Sequence, residues 1–428
     1  MKLAKLSLAA MVVAGLASSS FAADTLADAF KNGKVKGQLK AWYFDKTVEN
    51  AADENANVLA LGLELNYVTD SLYGFYAGAT FQGASQPWIE DDAKTRFVNE
   101  MHTSGAVLSE AYLGYKIGKT NAKIGRQYIA TPLVNGSGGR IFKESFEGVT
   151  VVNTDIPQTT LIAAYVNKFQ GRTSAVADKN DLGDAPKFKD GAAITGGVKY
   201  VTFDGIYTLG LINKSITGLT LTGQYAVLND VNDKGDVDVY YTEANYVLPV
   251  AGFKLGFDVN YRGSQTDGAL SDSERLEGDM LAGRVSIKEL AGFGASFAAS
   301  TTDSDDNVIL GVGNGPSSYT GTLIRASAET AAFNTDAYLF TATYDFSKLG
   351  ATGLGVLAQY GKIEQDKKTG TLRTKDKELT SYAAAVTYDV AALKGLSLAL
   401  QYETQETDTD GVSKDDTDEL RFLANYKF

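Results

Sequence analysis

Apolar and polar positions alternate with a period of two in segment after segment of this chain. Leu59, Leu61, Leu63, Leu65 and Tyr67 take every second place, with Ala60, Gly62, Glu64 and Asn66 between them. The same reading recurs at Phe253, Leu255, Phe257, Val259 and Tyr261, against Lys254, Asp258, Asn260 and Arg262. It returns at Tyr338/Phe340/Ala342/Tyr344, at Tyr382/Ala384/Val386/Tyr388 and at Leu396/Leu398/Leu400/Tyr402. Successive side chains of a strand point to opposite faces, so each segment has one face for lipid or core and one for water; a helix would scatter these charges around its circumference.

Counting such segments predicts an all-β chain of about 18 strands, an even number as single-chain outer-membrane barrels require. The stretch 192–213 is read as a single strand over 205–213. Connections alternate between long and short. Residues 82–105, 171–204 and 303–334 form long connections, while Thr69-Asp70-Ser71, Gly118-Lys119, Asp155-Ile156-Pro157 and Leu393-Lys394-Gly395 form short ones. Long loops on the outside and short periplasmic turns on the inside are the pattern of a transmembrane antiparallel β-barrel.

Composition agrees with that wall. The chain has 44 Gly, 23 Tyr and 20 Phe against 6 Pro, the residues that supply close packing, interfacial girdles and lipid faces. It has no Cys, which removes disulfides, thiol nucleophiles and thiolate metal sites. A net charge of -12 argues against a nucleic-acid partner. Residues 1–22 read as a secretory signal peptide, with Lys2 and Lys5, an apolar run from Leu6 to Leu16 and Ser-Phe-Ala before the cut, leaving 23–428 as one barrel domain. The apolar run is shorter than the ~20 residues of a membrane span. Location in the cell outer membrane follows from the leader and the barrel together.

Three stretches resemble the OprD family of substrate-selective outer-membrane porins. The first is Leu26 to Asp45, a polar leader running into a strand with an aromatic pair and an Asp. The densest is Lys123 to Gly148, KIGRQYIATPLVNGSGGRIFKESFEG, with Gly-Arg-Gln at a strand end, Pro132-Leu133 leading into the third loop, an Arg within it and Phe-Glu-Gly starting the next strand. The third is the closing strand, Glu419 to Phe428, whose terminal Phe resembles the signal read by the barrel-assembly machinery. The resemblance implies a third loop folded into the lumen and passive uptake through an eyelet, flanked by that loop and a ladder of basic wall residues. It assigns Arg126, Arg140 and Glu147 to motif positions. Lys143 and Glu144 stand where the family usually has proline. Pro132 ends ladder bonding, and Gly136, Gly138 and Gly139 let the backbone turn back.

Alternation points Lys36, Lys40, Arg262, Arg284, Arg421 and Lys427 into the lumen, facing Glu64, Glu110, Asp258 and Glu403. The expected constriction joins the positions in and beside the third loop that the resemblance implies, Arg126, Arg140, Lys143 and Glu147, to the wall residues Lys40, Arg262, Arg284 and Arg421, since fixed charges in a narrow pore act strongly on a permeating ion. The function expected is passive diffusion of small polar or charged solutes, ions, small carboxylates, amino acids or peptides. Two alternatives stand beside it: a general trimeric porin of about 16 strands, and an adhesin or receptor barrel that only displays loops. Expected partners are those solutes, outer-membrane lipid and lipopolysaccharide, and the assembly machinery; both monomer and trimer stay open.

No enzyme, cofactor or metal site is expected. The single His102 sits in a loop near Asp91 and Asp92 without a rigid setting, Gly118-Lys119-Thr120 lacks the first glycine of a phosphate loop, and Gly311, Gly313 and Gly315 read as turn glycines. Carboxylates crowd the outer loops (Asp303, Asp305, Asp306, Asp408, Asp410, Asp415, Asp416) without a calcium-loop pattern and read as solvated surface.

Overall fold

The computed structural model describes residues 23–49, 55–175, 182–194, 199–270, 276–303, 305–324, 328–367, 373–410 and 412–428; the leader read over 1–22 lies outside them, as does the side chain of Asp415. A short helix, Leu26–Lys31, capped by Thr25, precedes the first strand. Strands then follow in order: β1 Lys34–Val48, β2 Asn55–Val68, β3 Phe75–Ile89, β4 Gly105–Ile117, β5 Thr120–Gln127, β6 Ser145–Asn153 and β7 Thr159–Gln170. Three short pieces, β8 Phe188–Lys189, β9 Gly191–Ile194 and β10 Lys199–Thr202, lie within the next loop. The wall resumes with β11 Gly205–Asn213, β12 Leu219–Asn229, β13 Val237–Val250, β14 Phe253–Thr266, β15 Asp279–Leu290, β16 Phe293–Thr302, β17 Thr335–Asp345, β18 Leu354–Gln365, β19 Lys377–Asp389, β20 Leu396–Thr409 and β21 Val412–Lys427.

Each wall strand pairs antiparallel with the next, β7 passes directly to β11, and β21 returns to β1 with Gln38 opposite Lys427 and Ala41 opposite Ala424. The sheet closes as an 18-stranded barrel. Region 192–213 contributes one wall strand, β11, as the sequence predicts; β9 and β10 pair antiparallel with each other in a separate small sheet. β3 runs on to Ile89, so its outer loop begins later than residue 82.

The alternation is realised in burial. Leu61, Leu65, Phe257, Val259, Phe340, Tyr382, Leu400 and Phe422 are exposed on the outside, while Ala60, Asp258, Asn260, Glu403 and Arg421 are buried on the inside. The wall has an apolar outer face because lipid cannot satisfy polar groups, and closure leaves no unpaired backbone within it.

Four outer connections fill the mouth of the barrel: L2 (90–104), L3 (128–144), L4 (171–204) and L7 (303–334). Among the described residues, each of them sends apolar side chains into buried positions. Ala93, Phe97 and Met101 of L2 are fully buried, as are Leu133, Val134 and Phe142 of L3, Ala192 to Ile194 of L4, and Val308 to Leu310 of L7. Apolar runs in connecting loops find a core by folding inward.

Candidate functional site

L3 is seated on opposite sides of the lumen. Its first half lies along β12, where Leu133 N donates to Gln224 Oε1 at 2.9 Å and Gln224 Nε2 donates to Thr131 Oγ1 at 2.9 Å. Leu133 and Val134 pack there with Ile206, Leu228, Val239 and Phe203. The chain then turns back through its glycines, and Ile141 and Phe142 enter a second cluster with Trp42, Phe44, Val58 and Phe97, on the wall made by β1 and β2. Lys40 Nζ donates to the Ile141 carbonyl at 2.9 Å. The predicted inward fold of the third loop is what the structure has, and hydrophobic anchoring at both ends is its cause.

The return to β6 is fixed by amides and one carboxylate. Gln82 accepts from Lys143 N at 2.8 Å and donates to the Lys143 carbonyl at 2.9 Å. A bulge in β4 turns both Ser109 and Glu110 inward, and the Ser109 hydroxyl donates to Gln170 at 2.6 Å. Glu144 has no exposed surface; it accepts from Ser137 N at 2.8 Å and from both the backbone and side-chain nitrogens of Asn314. Arg172 of L4 lies 3.3 Å from it. This residue, a departure from the family's proline, thus ties L3, L4 and L7 together.

Beside the Glu144–Asn314 bonds, L7 docks on L3 backbone to backbone. Val134 and Val312 form a parallel bridge, with Asn135 N donating to Val312 O and Val312 N to Leu133 O at 3.0 and 2.7 Å. Gly311 and Gly313 have φ of +144° and +87°, and a Cβ on Gly311 would stand 2.7 Å from the Leu133 carbonyl oxygen. The glycines read as simple turns are contact glycines between two loops.

These loops rearrange the expected constriction. Arg140 reaches Glu100 of L2, with its Nε at 3.0 Å, and covers one side of the Phe44 ring. Arg421 lies over the same ring at 4.5 Å and pairs with Glu419 at 2.6 Å. Burial opposes ionisation of Glu100, but Arg140, Lys46 and Arg421 outweigh it and hold the carboxyl well below the usual range. Arg284 pairs with Asp258 at 2.7 Å beneath the Tyr319 ring of L7. Lys143 extends its ammonium over Tyr128 at 3.6 Å, within the field of Glu64, Glu110 and Lys427; its burial lowers its pKa.

Three expected residues are misplaced by the sequence reading. Arg262 points inward but is 2% exposed, because L7 lies over it and takes its hydrogens on the carbonyls of Leu310 and Ser317 at 2.9 and 3.0 Å. It clamps a loop and does not meet the water path. Arg126 and Glu147 face outward. On β5 the buried positions are Asn121 and Gln127, while Ile124 is exposed to the outside, so Arg126, two residues beyond Ile124, shares its face. Glu147 lies opposite Arg126 and alternates with buried Phe146 and Gly148. Glu100, Glu144, Arg172 and Tyr319 were not anticipated. The signal for them was the apolar runs of L4 and L7, which cannot remain in water.

Among the described residues no group of three or more His, Asp or Glu is arranged to hold a metal ion. Asp303 accepts from the backbone of Asp305 and Asp306, closing a turn. The ring of His102 is held by the backbone, its Nδ1 lying 2.9 Å from the Lys94 carbonyl.

Comparison with known proteins bears on this architecture. A family model described as outer membrane porin, OprD family, matches residues 108–428. Among solved structures, the chain is similar to Acinetobacter baumannii OccAB3, at 18% identity and a TM-score of 0.78 over 93% of this chain and 99% of that one. It is also similar to Pseudomonas aeruginosa OccK3 (OpdO), at 16% identity and 0.73 over 94% and 97%. Pseudomonas aeruginosa OpdK, crystallised with vanillate, matches at 16% identity and 0.73 over 93% and 99%. No curated protein sequence matches. At these identities the structural likeness speaks for the fold.

Proposed function

Starting from the fact that this chain belongs to the OprD family of outer membrane porins, we propose that it selects small carboxylates through a cationic strip on the open side of L3. It is an outer-membrane channel through which small polar solutes diffuse passively. The finer assignment concerns which charges a solute meets. The observation that carries it is the partition of the basic residues by the loops. Arg140, Arg421, Arg262 and Lys40 spend their hydrogens on Glu100, Glu419 and loop carbonyls, whereas the Lys143 ammonium stands over Tyr128 with Lys427 near it.

Glu64 and Glu110 face the same strip, and Glu110 is occupied by Thr80, Asn66 and the backbone of Tyr128. A carboxylate passing there exchanges water for ammonium donors in a region of reduced dielectric, which favours it over a cation of the same size. The vanillate held by OpdK gives such a solute a precedent in a similar barrel. The closing strand, ending in Tyr426 and Phe428, supports recognition by the barrel-assembly machinery.

Reversal potential in a planar bilayer under a salt gradient tests the reading. Lys143→Gln is expected to lower the anion preference of the open channel, while Arg126→Ala on the outer face leaves it at the wild-type value. An unchanged potential in Lys143→Gln, or a shift in Arg126→Ala equal to it, would remove Lys143 from the selective strip.

A further inference from the structure

A cation on the lipid face of a barrel is costly in proportion to its depth, and Arg126 does not stand there alone. Its Nε donates to Glu147 at 2.9 Å, Lys168 lies 3.4 Å from the same carboxylate, and its guanidinium stacks 4.4 Å from the Phe188 ring. Arg126 and Lys168 nonetheless keep 37% and 46% of their side-chain surface open. Two cations share one carboxylate, so the trio carries an excess positive charge. It lies at the outer ends of β5 and β6, which at 8 and 9 residues are shorter than β3 at 15, so the wall is low there.

From the trio toward the periplasmic ends of the strands, and across β6, β7, β11 and β12, the outer wall has a groove of about 730 Å³ bordered by Val151, Leu161, Ala163, Leu209, Leu211 and Tyr225. Its floor is Gly223, where an added Cβ would meet nothing within 4 Å. Val151 lies four residues beyond Glu147 along β6, about 13 Å at strand rise. Between groove and charges stand Tyr165 and Tyr207, ring to ring at 4.8 Å. The order is apolar groove, tyrosine pair, cations, which repeats the profile of a lipid: acyl chain, glycerol or sugar region, phosphate.

A second outer groove of about 470 Å³, at Tyr246, Phe257, Val259, Val285 and Phe297, leads instead to Tyr261 bonded to Asp279 at 3.1 Å. Elsewhere at the outer ends, Tyr43 is bonded to Asp45 and Tyr402 to Asp418. An anionic headgroup is repelled from those sectors and drawn to Arg126 and Lys168.

We propose that the outer wall over β5 to β12 holds one phosphorylated glycolipid of the outer leaflet, a lipid A, with an acyl chain in the groove floored by Gly223 and a phosphate on Arg126 and Lys168. Glu147 holds the two cations apart and oriented, and the guanidinium offers the phosphate a planar pair of donors.

Native mass spectrometry of the purified barrel in mild detergent, titrated with diphosphoryl lipid A, tests it. Wild type is expected to retain one lipid, with apparent affinity reduced tenfold or more in Arg126→Gln/Lys168→Gln and also in Gly223→Trp, which fills the groove and touches no charge. Gly283→Trp, in the second groove, is expected to bind as wild type does. Heat-modified mobility on gels reports that each variant is a folded barrel. Wild-type affinity in the double variant and in Gly223→Trp would overturn the site, and so would equal affinity for lipid A stripped of its phosphates. A multimer that Gly223→Trp dissociates without any change in lipid retention would assign this face to a second copy of the chain and overturn it as well.

Discussion

A carboxylate without exposed surface is tolerated in a fold only where its lone pairs are filled, and Glu144 fills them from Ser137, Asn314 and Arg172. Removing the charge leaves the Arg172 guanidinium buried against an amide, so Glu144→Gln is expected to weaken the L3–L4–L7 knot by about 3–5 kcal/mol, the usual range for breaking a buried pair. Limited proteolysis checks this: cleavage within L3 or L7 becomes faster in the variant, while the barrel fragment stays intact. Sequence alternation could have placed Arg126 correctly, since Ile124 two residues earlier is apolar and must face lipid. The motif resemblance pulled it toward the lumen instead. Alternation is a rule of geometry, and a motif is a rule of chemistry that holds only where the geometry agrees.

At the scale of elements, L3 and L7 behave as one unit because backbone meets backbone at Val134 and Val312 and the Glu144 carboxylate holds Asn314 beside them. Gly313 has φ +87° and its Cα faces the Asn135 carbonyl. In Gly313→Val the left-handed backbone alone costs about 1–3 kcal/mol, and the added carbon displaces L7 from L3. The expected outcome is a larger and noisier single-channel current with the same heat-modified mobility; an unchanged current would mean that L7 does not support the constriction. The wall strands were legible because lipid on one side and water on the other impose a period of two. The inward loops were legible only in part. Their signal is local apolar content, such as Val308-Ile309-Leu310, and nothing in the spacing of such a run says which wall it will meet.

Over the whole molecule, Glu100 joins elements distant in sequence: L2 carries it, L3 brings Arg140, β1 brings Lys46 and β21 brings Arg421. Its folded-state pKa is depressed below the ordinary 4.5. The lock is therefore fully present above that value and is lost only as pH falls through the lower folded value. Single-channel recordings at pH 4 are expected to show the neutral-pH conductance, whereas Glu100→Gln is expected to show at neutral pH the enlarged, fluctuating current of a released L3 tip. An enlarged, fluctuating current at pH 4 in the wild type would assign the lock to another group. Strand number, loop lengths and inward faces could be read from the chain because they repeat; this meeting point could not, because its members share no periodicity and come from four separate stretches.

The pairing of β1 with β21 also governs how the barrel is made. Gln38 finds its partner at Lys427, so the first strand keeps one side unsatisfied until the last has been synthesised. Such a contact order makes the final zippering slow, and every intermediate shorter than the full chain presents two open strand edges able to template aggregation. Delivery to the membrane therefore depends on keeping those edges from other chains until they can meet.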